Sequence, residues 1–479
     1  MNGSAITFII GWILNIEAAL MLPSCAVALL YRERCGWAFA VTMALCLAIG
    51  VPRVMMGMKR KVFHARESLV TVSLSWVMLS VMGALPFVLS GTIPSFVDAL
   101  FETVSGFTTT GASILPAVEG LPRCMLFWRS FTHWIGGMGV LVFLLSILPL
   151  TGGYHMNLMK AESPGPSVSK LVPKVQSTAK ILYGIYIVLT LLEIVLLLLG
   201  GMPLFDALTT AFGTAGTGGF GVRNDSIAGY SPYLQYVITV FMILFGINFN
   251  VYFLILIRRA GQLIHSEELW TYLGIIGGSI LAITINIRSM YGTLEETFRH
   301  AAFQVGSIIT TTGFATTDFD QWPQFSRTIL VLLMFIGACA GSTGGGIKVS
   351  RLLILMKTVR REFHCYLRPR ETRCLRLEGH PLENEVVRSV NVFLITYVVL
   401  FSLSVLLVSL DEYDLVTNFT AVAATLNNIG PGLNLVGPTQ NFSLFSPAVK
   451  LLLTFDMLAG RLELFPVLLL FFHRTWKRF

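Results

Sequence analysis

Charge is scarce in this chain: 13% of its 479 residues are Asp, Glu, Lys or Arg, against 54% hydrophobic. That shortage excludes a soluble protein of this size and implies an integral membrane protein, since several apolar runs exceed the length that spans a bilayer. Cysteine is sparse and unpatterned. Cys25, Cys35, Cys46, Cys124, Cys339, Cys365 and Cys374 make an odd number with no Cys-x-x-Cys, which argues against a disulfide framework or a zinc site. Catalytic signatures are missing too. Without His-Glu-x-x-His, Gly-x-Ser-x-Gly or paired catalytic carboxylates, an intramembrane enzyme has no nucleophile or metal set, so no catalytic residue is expected. The N-terminus lacks a basic region ahead of its apolar run, so a retained transmembrane helix is expected there rather than a signal peptide. The net charge of +8 fits cytoplasmic loops better than nucleic-acid binding.

What the chain has is glycine in a repeating place. Phe101-Glu-Thr-Val-Ser-Gly-Phe-Thr-Thr-Thr-Gly111, Thr209-Thr-Ala-Phe-Gly-Thr-Ala-Gly-Thr-Gly-Gly219, Phe303-Gln-Val-Gly-Ser-Ile-Ile-Thr-Thr-Thr-Gly313 and Val422-Ala-Ala-Thr-Leu-Asn-Asn-Ile-Gly-Pro-Gly432 align without a gap on their last glycine. Each lies between long apolar segments. A helix that stops half-way through a membrane and runs into glycine-rich extended chain presents backbone carbonyls to a dehydrated cation. The expected fold is an all-α integral membrane protein: four pseudo-repeats of helix, pore loop and helix around one pore, plus an N-terminal helix pair.

Ten spanning segments are expected, at about 5–31, 36–58, 69–91, 123–150, 180–202, 232–258, 269–288, 325–357, 388–410 and 445–473. They divide the chain into an N-terminal transmembrane pair (1–62), pore repeat 1 (63–152), pore repeat 2 (153–262), pore repeat 3 with an intramembrane gating loop (263–378) and pore repeat 4 (379–479). Asp98 and Asp206 fall where a short helix begins, so a carboxylate meets free N–H groups there and the negative helix end points into the pore. Lys59, Arg60, Lys61 and Arg66, then Lys160, Lys170, Lys174 and Lys180, then Arg258 and Arg259, then the 357–376 stretch, then Arg474, Lys477 and Arg478 fall on one side. That side is cytoplasmic by the positive-inside rule, and the four loops enter from outside; Arg32, Arg34 and Arg288 run against it.

The expected selectivity filter is Thr109-Thr110-Gly111, Thr217-Gly218-Gly219, Thr311-Thr312-Gly313 and Gly430-Pro431-Gly432, because aiming successive carbonyls at one axis needs backbone that a Cβ obstructs. The alternative is that these small residues only pack helices. Glycine-dense Gly337-Ala-Cys-Ala-Gly341-Ser-Thr-Gly-Gly-Gly346-Ile-Lys348 cannot stay helical, and at membrane depth it must line a cavity or be buried. Gly341, Ser342, Thr343, Gly344, Gly345, Gly346 and Lys348 are the expected gate. It is not a phosphate-binding loop, since Ile347 separates Gly346 from Lys348. Arg461 lies in the last apolar segment, where a charge is expensive without a partner. It bonds either the carbonyls of the 337–346 loop or its neighbours Glu463 or Asp456. His133 reads as a hydrogen-bonded core residue. Glu17 and Glu193 are intramembrane acids without an assigned role. The 357–376 stretch is a solvated cytosolic extension or a docking surface for an acidic partner or anionic lipid.

Together, Ser105-Gly-Phe-Thr-Thr-Thr-Gly111-Ala, His133-Trp-Ile-Gly-Gly-Met-Gly139, Thr311-Thr-Thr-Gly313-Phe, Gly341-Ser-Thr-Gly-Gly-Gly-Ile-Lys348, Asn427-Asn-Ile-Gly-Pro-Gly432 and Gly460-Arg-Leu-Glu463 resemble the membrane subunit of bacterial Trk potassium-uptake systems, of the TrkH/TrkG type within the Trk/Ktr/HKT superfamily. The resemblance implies K+ as the transported ion and a multi-pass protein of the bacterial inner membrane. It also implies a homodimer and a TrkA-type cytosolic regulatory subunit that binds the nucleotide; this chain shows no nucleotide site of its own. It implies that the 337–346 loop is the gate and that Arg461 helps hold it. In plant HKT relatives, serine in place of the first filter glycine goes with sodium preference, so Gly111 resembles the potassium-preferring form. Gly218 departs from the threonine of loops one and three. A secondary transporter of an organic solute would show two matching halves rather than four quarters. A membrane scaffold would leave the four loops unexplained.

Overall fold

A computed structural model describes residues 3–57, 65–139, 175–368 and 374–476. The chain is a nearly all-helical membrane protein. A short antiparallel hairpin, Arg376–Leu377 with His380–Pro381, follows the basic stretch. α1 (Gly3–Leu30) and α2 (Gly36–Met55) form the N-terminal pair. Gly11 and Gly50 let the two backbones touch: a methyl group added at either would lie 3.0 Å or less from the other's carbonyl oxygen.

Four units follow, each with a long outer helix, a short re-entrant helix, an extended return and a second short helix. The first comprises α3 (Ala65–Leu89), α4 (Phe96–Phe107) and α5 (Arg123–Gly137). In the second, α6 (Val175–Leu199) and α7 (Leu204–Gly216) lead to α8 (Pro232–Phe245) and α9 (Phe249–Leu256). α10 (Glu267–Asn286), α11 (Leu294–Ile309), α12 (Gln324–Ile336) and α13 (Val349–Leu367) make the third. The last is α14 (Asn384–Val408), α15 (Leu415–Leu426) and α16 (Pro447–Arg461).

Three of the four re-entrant helices start on side-chain caps, α7 following Pro203 without one. Ser95 accepts from the Asp98 N–H, Thr293 from that of Glu296, and Asp414 from that of Thr417. Asp98 and Asp206 do occupy first turns. Exposed Asp414 also accepts from the Thr417 hydroxyl, and that hydrogen bond holds its carboxyl below the usual carboxylate range.

Six of the ten expected spans, those drawn at about 5–31, 36–58, 69–91, 180–202, 269–288 and 388–410, are long continuous helices; among the described residues the others are not. Among the described residues six helices are long and apolar enough to cross a membrane, or seven if the bent pair α8–α9 counts as one. The second helix of each unit is short: α5, α8, α12 and α16 hold 15, 14, 13 and 15 residues. At 1.5 Å per residue that is about 20–23 Å, short of a hydrocarbon core of about 30 Å. Segment 232–258 is in fact two helices meeting at 90°. Segment 445–473 ends its helix at Arg461, where Glu463 and Leu464 take positive φ. Only the break in 325–357 matches expectation. The boundary drawn at 152–153, the rest of segment 123–150 after Gly139, and Lys59, Arg60, Lys61, Lys160, Lys170, Lys174, Lys477 and Arg478 lie outside the described residues.

Candidate functional site

All four re-entrant helices end alike. The Thr109 N–H donates to Gly106 O and the Thr110 N–H to Ser105 O; Thr217 and Gly218 donate to Thr214 and Gly213, Thr311 and Thr312 to Ile308 and Ser307, and Asn428 and Ile429 to Thr425 and Ala424. This is the Schellman pattern, which requires a left-handed residue just past the helix. Thr109, Thr217, Thr311 and Asn428 supply it, with φ of 57°, 55°, 59° and 55°. Two residues further on, Gly111, Gly219, Gly313 and Gly430 are left-handed as well, at 80°, 75°, 84° and 101°.

Those glycines interlock in a closed ring. A methyl group on Gly111 would lie 1.9 Å from Gly218 O, one on Gly219 2.0 Å from Thr312 O, one on Gly313 2.3 Å from Ile429 O, and one on Gly430 2.8 Å from Thr110 O. Each unit's glycine thus abuts the carbonyl that precedes the next unit's glycine, and the fourth closes on the first. The four glycines line one outer cavity, together with Ser113, Gly221, Ala315 and Pro431. Beneath it Thr109, Thr110, Thr217, Thr311, Thr312 and Asn428 are fully buried. Four backbone dipoles at the ends of four converging helices, with no carboxylate among them, can replace part of a cation's hydration shell and still release it.

The first three expected triplets meet in this ring; the fourth is displaced by two residues. Asn428-Ile429-Gly430 is the structural counterpart of Thr109-Thr110-Gly111, not Gly430-Pro431-Gly432. Pro431 lies one step outward, on the cavity wall. Gly432 donates its N–H to Val436 O in the outer turn, and a methyl group there would meet the Thr420 and Val436 side chains instead of the ring. Asn428 also ties the fourth unit to the first, donating from Nδ2 to Thr110 Oγ1 at 2.9 Å.

Three further side chains, His133, Arg129 and Glu102, brace the ring. His133 Nδ1 lies 2.7 Å from Gly106 O and its Nε2 accepts the Phe220 N–H, so one ring joins the first re-entrant helix to the second loop. The same ring explains Gly218: a Cβ there would sit 2.3 Å from His133 Nδ1, leaving no room for the threonine of loops one and three. Arg129 and Glu102 form a buried ion pair at 2.5 Å that sequence reasoning missed. Glu102 also accepts from Ser113 Oγ and the Ile114 N–H, while Arg129 donates to Gly221 O and covers the Phe220 ring. They lie 27 residues apart on different helices, with no spacing signal to betray them.

The glycine loop lies against the inner ends of the re-entrant helices. Gly345 N–H donates to Thr311 Oγ1 (2.6 Å) and Gly346 N–H to Asn427 O (3.1 Å). A methyl group on Gly344 would sit 2.8 Å from Thr310 O, and Lys348 Nζ donates to Gly344 O. The loop is also laced to the α8–α9 bend: Cys339 N–H bonds Gly246 O, Phe249 N–H bonds Gly341 O, and Thr343 Oγ1 bonds Phe245 O. Glu268 accepts the Ala340 and Ser350 N–H groups from either side of it. Neither the bend nor Glu268 was read from the sequence, although Gly246-Ile247-Asn248 carries the glycine that marks the bend.

Arg461 spans the junction. Its guanidinium donates to Thr343 O at 2.8 Å, to Gly137 O at 2.9 Å, to Gly136 O, and to Thr109 Oγ1 at 3.3 Å. It thereby joins the glycine loop, the end of α5 and the segment Thr109-Thr110-Gly111 of the ring. Glu463 is drawn instead to Arg351, and Asp456 accepts from Ser404 Oγ at 2.8 Å.

The comparisons agree with this architecture. A family model described as TrkH, cation transport protein, matches residues 36–277 and 280–477. The Trk system potassium uptake protein TrkH of Salmonella typhimurium is 36% identical over 484 residues, covering all of both chains. The Trk system potassium uptake protein TrkG of Escherichia coli is 34% identical over 98% of each chain. The crystal structure of the potassium transporter TrkH from Vibrio parahaemolyticus superimposes with a TM-score of 0.89 at 33% identity, covering all of both chains.

Proposed function

The chain belongs to the TrkH family of cation transport proteins, and from that premise we propose that it takes up potassium ions through the ring of four loops. The observation that carries this reading is the closed contact of Gly111, Gly219, Gly313 and Gly430 with the carbonyls of Gly218, Thr312, Ile429 and Thr110. A dehydrated K+ at the centre of that ring exchanges water oxygens for carbonyl oxygens. The filter is Thr109-Thr110-Gly111, Thr217-Gly218-Gly219, Thr311-Thr312-Gly313 and Asn428-Ile429-Gly430, with Pro431 on its outer wall.

The gate in this reading is the loop containing Gly341, Ser342, Thr343, Gly344, Gly345, Gly346 and Lys348. Its glycine backbone lies against Thr310, Thr311 and Asn427, beneath the ring, and these contacts support the reading. Arg461 holds it there and places a positive charge beside the path. Opening requires the contacts to Thr343 O, Thr311 Oγ1 and Asn427 O to separate. A TrkA-type nucleotide-binding subunit docked on the cytosolic side would supply that work, with the protein acting as a homodimer in the bacterial inner membrane.

The test is cation flux through the purified full-length chain in liposomes, with K+ and Rb+ set against Na+ and Li+. Faster K+ and Rb+ entry is expected. Equal Na+ entry would mean that the ring does not select potassium.

A further inference from the structure

We propose that Cys35 and Cys124 are a disulfide site on the outer face, joining the N-terminal helix pair to the first pore unit. Cys35 caps α2, and Cys124 lies in the first turn of α5. Their sulfurs are 3.0 Å apart although 89 residues separate them. Independent contacts hold the two elements together: the Arg123 guanidinium stacks on Tyr31 at 4.3 Å, and Glu33 accepts the Arg123 and Cys124 N–H groups at 2.6 and 2.9 Å.

Glu33, Cys35 and Cys124 also lie close enough together to share a metal ion. The carboxylate, however, is committed to capping α5, whose own cap residue, Pro122, offers no side-chain acceptor. That leaves two thiols side by side, a poor metal set and a good cystine. Both sit at the outer ends of their helices under the positive-inside orientation, in the compartment where disulfides form and persist. Cys35 is part-exposed and Cys124 buried, which sets the order of exchange.

The oxidant is a protein or small-molecule disulfide, R–S–S–R. The Cys35 thiolate attacks one of its sulfurs, forming a mixed disulfide and releasing one thiol, RSH. Cys124 then attacks the Cys35 sulfur, forming the Cys35–Cys124 bond and releasing the second RSH. Two cysteine thiols are oxidised, one external disulfide is reduced, and the two cysteine protons leave on the released thiols. The product is a covalent strap on α5, the helix that carries Arg129 and His133 to the filter.

The experiment dissolves membranes of cells making the full-length chain directly into denaturant containing N-ethylmaleimide, so that free thiols buried in the fold, such as Cys46 and Cys339, are blocked too, and weighs the protein. Of the seven cysteines, five adducts are expected without reductant and seven when reductant precedes blocking, with a Cys35–Cys124 crosslinked peptide in the digest. Cys35→Ser and Cys124→Ser should each give six adducts with or without reductant. Seven wild-type adducts without reductant, persisting after treatment with glutathione disulfide, would overturn the proposal. So would one bound zinc lost from both serine variants, with all seven thiols free after chelation. The wild-type count decides even if a variant fails to fold.

Discussion

Gly111, Gly219, Gly313 and Gly430 differ in what a side chain would cost. Added methyl groups would meet backbone carbonyls at 1.9, 2.0, 2.3 and 2.8 Å. All four also hold positive φ, which strains an L-residue by about 1–3 kcal/mol. Gly111→Ala and Gly219→Ala are therefore expected to abolish selective flux and Gly430→Ala to damage it less. Gly432→Ala should keep near-normal K+/Na+ discrimination, because it presses only on the Thr420 and Val436 side chains and not on the ring. Gly111→Ser pushes the Gly218 carbonyl off the axis and is expected to admit sodium. Liposome flux ratios for the set check the order, and unchanged discrimination in Gly111→Ser would remove Gly111 from the filter. Three of the four ring segments were legible as letters because Thr-Thr-Gly appears twice and Thr-Gly-Gly differs from it by one residue. The fourth was misplaced because Gly430-Pro431-Gly432 offers two glycines and Asn428-Ile429 looks unlike a threonine pair. The shared feature is backbone shape, a left-handed residue two places before the glycine. Asparagine adopts that conformation readily, so the sequence pattern changes while the geometry does not.

At the scale of elements, the second helix of every unit stops short, and the freed backbone polar groups at the stops are bonded to one another. Gly246 O receives Cys339 N–H, Gly341 O receives Phe249 N–H, and the Gly136 and Gly137 carbonyls receive Arg461. Unpaired groups at this depth would each cost several kcal/mol, so the breaks persist only as a set. Sequence reasoning found the one break with five glycines between Gly337 and Gly346 and missed those marked by a single glycine or a pair, which also occur in close-packed intact helices. The consequence for gating is specific. Arg461 reaches the Thr343 carbonyl and the end of α5 at once with a planar fork, which a lysine cannot reproduce. Charge-assisted hydrogen bonds contribute about 1.5–3 kcal/mol each, so losing one shifts a closed–open ratio about tenfold or more. Both Arg461→Ala and Arg461→Lys are expected to raise flux through the resting protein, as is deletion within residues 341–346. Resting flux at the wild-type level in both Arg461 variants would reduce that side chain to packing, and a folded but non-conducting deletion would argue against a gate.

Over the whole molecule, the pore is polar and the rim is not. Leu191, Val195, Ile285, Leu403 and Leu406 on the long outer helices are exposed, as lipid-facing residues are, while the threonines of the ring are fully buried. This division was legible in composition, and so was the quarter-repeat, because each quarter must send one helix half-way through the membrane. The direction of the whole rests on Lys and Arg counts alone, with Arg32, Arg34 and Arg288 against it, so it calls for its own measurement. Cys374 is exposed within the basic stretch, and Gln440 is exposed on the cavity above the ring. In a chain whose other cysteines are serine, Cys374 should resist a membrane-impermeant maleimide in intact cells and react once the membrane is opened. A cysteine replacing Gln440 should react in intact cells without that step. The reverse pattern would turn the molecule over: the glycine loop would then face outward, the Cys35–Cys124 pair would face a reducing compartment, and the ring would receive its ions from the cytosol. The expected pattern places the filter ahead of the gate on the inward path, so that an ion is selected before it reaches Arg461.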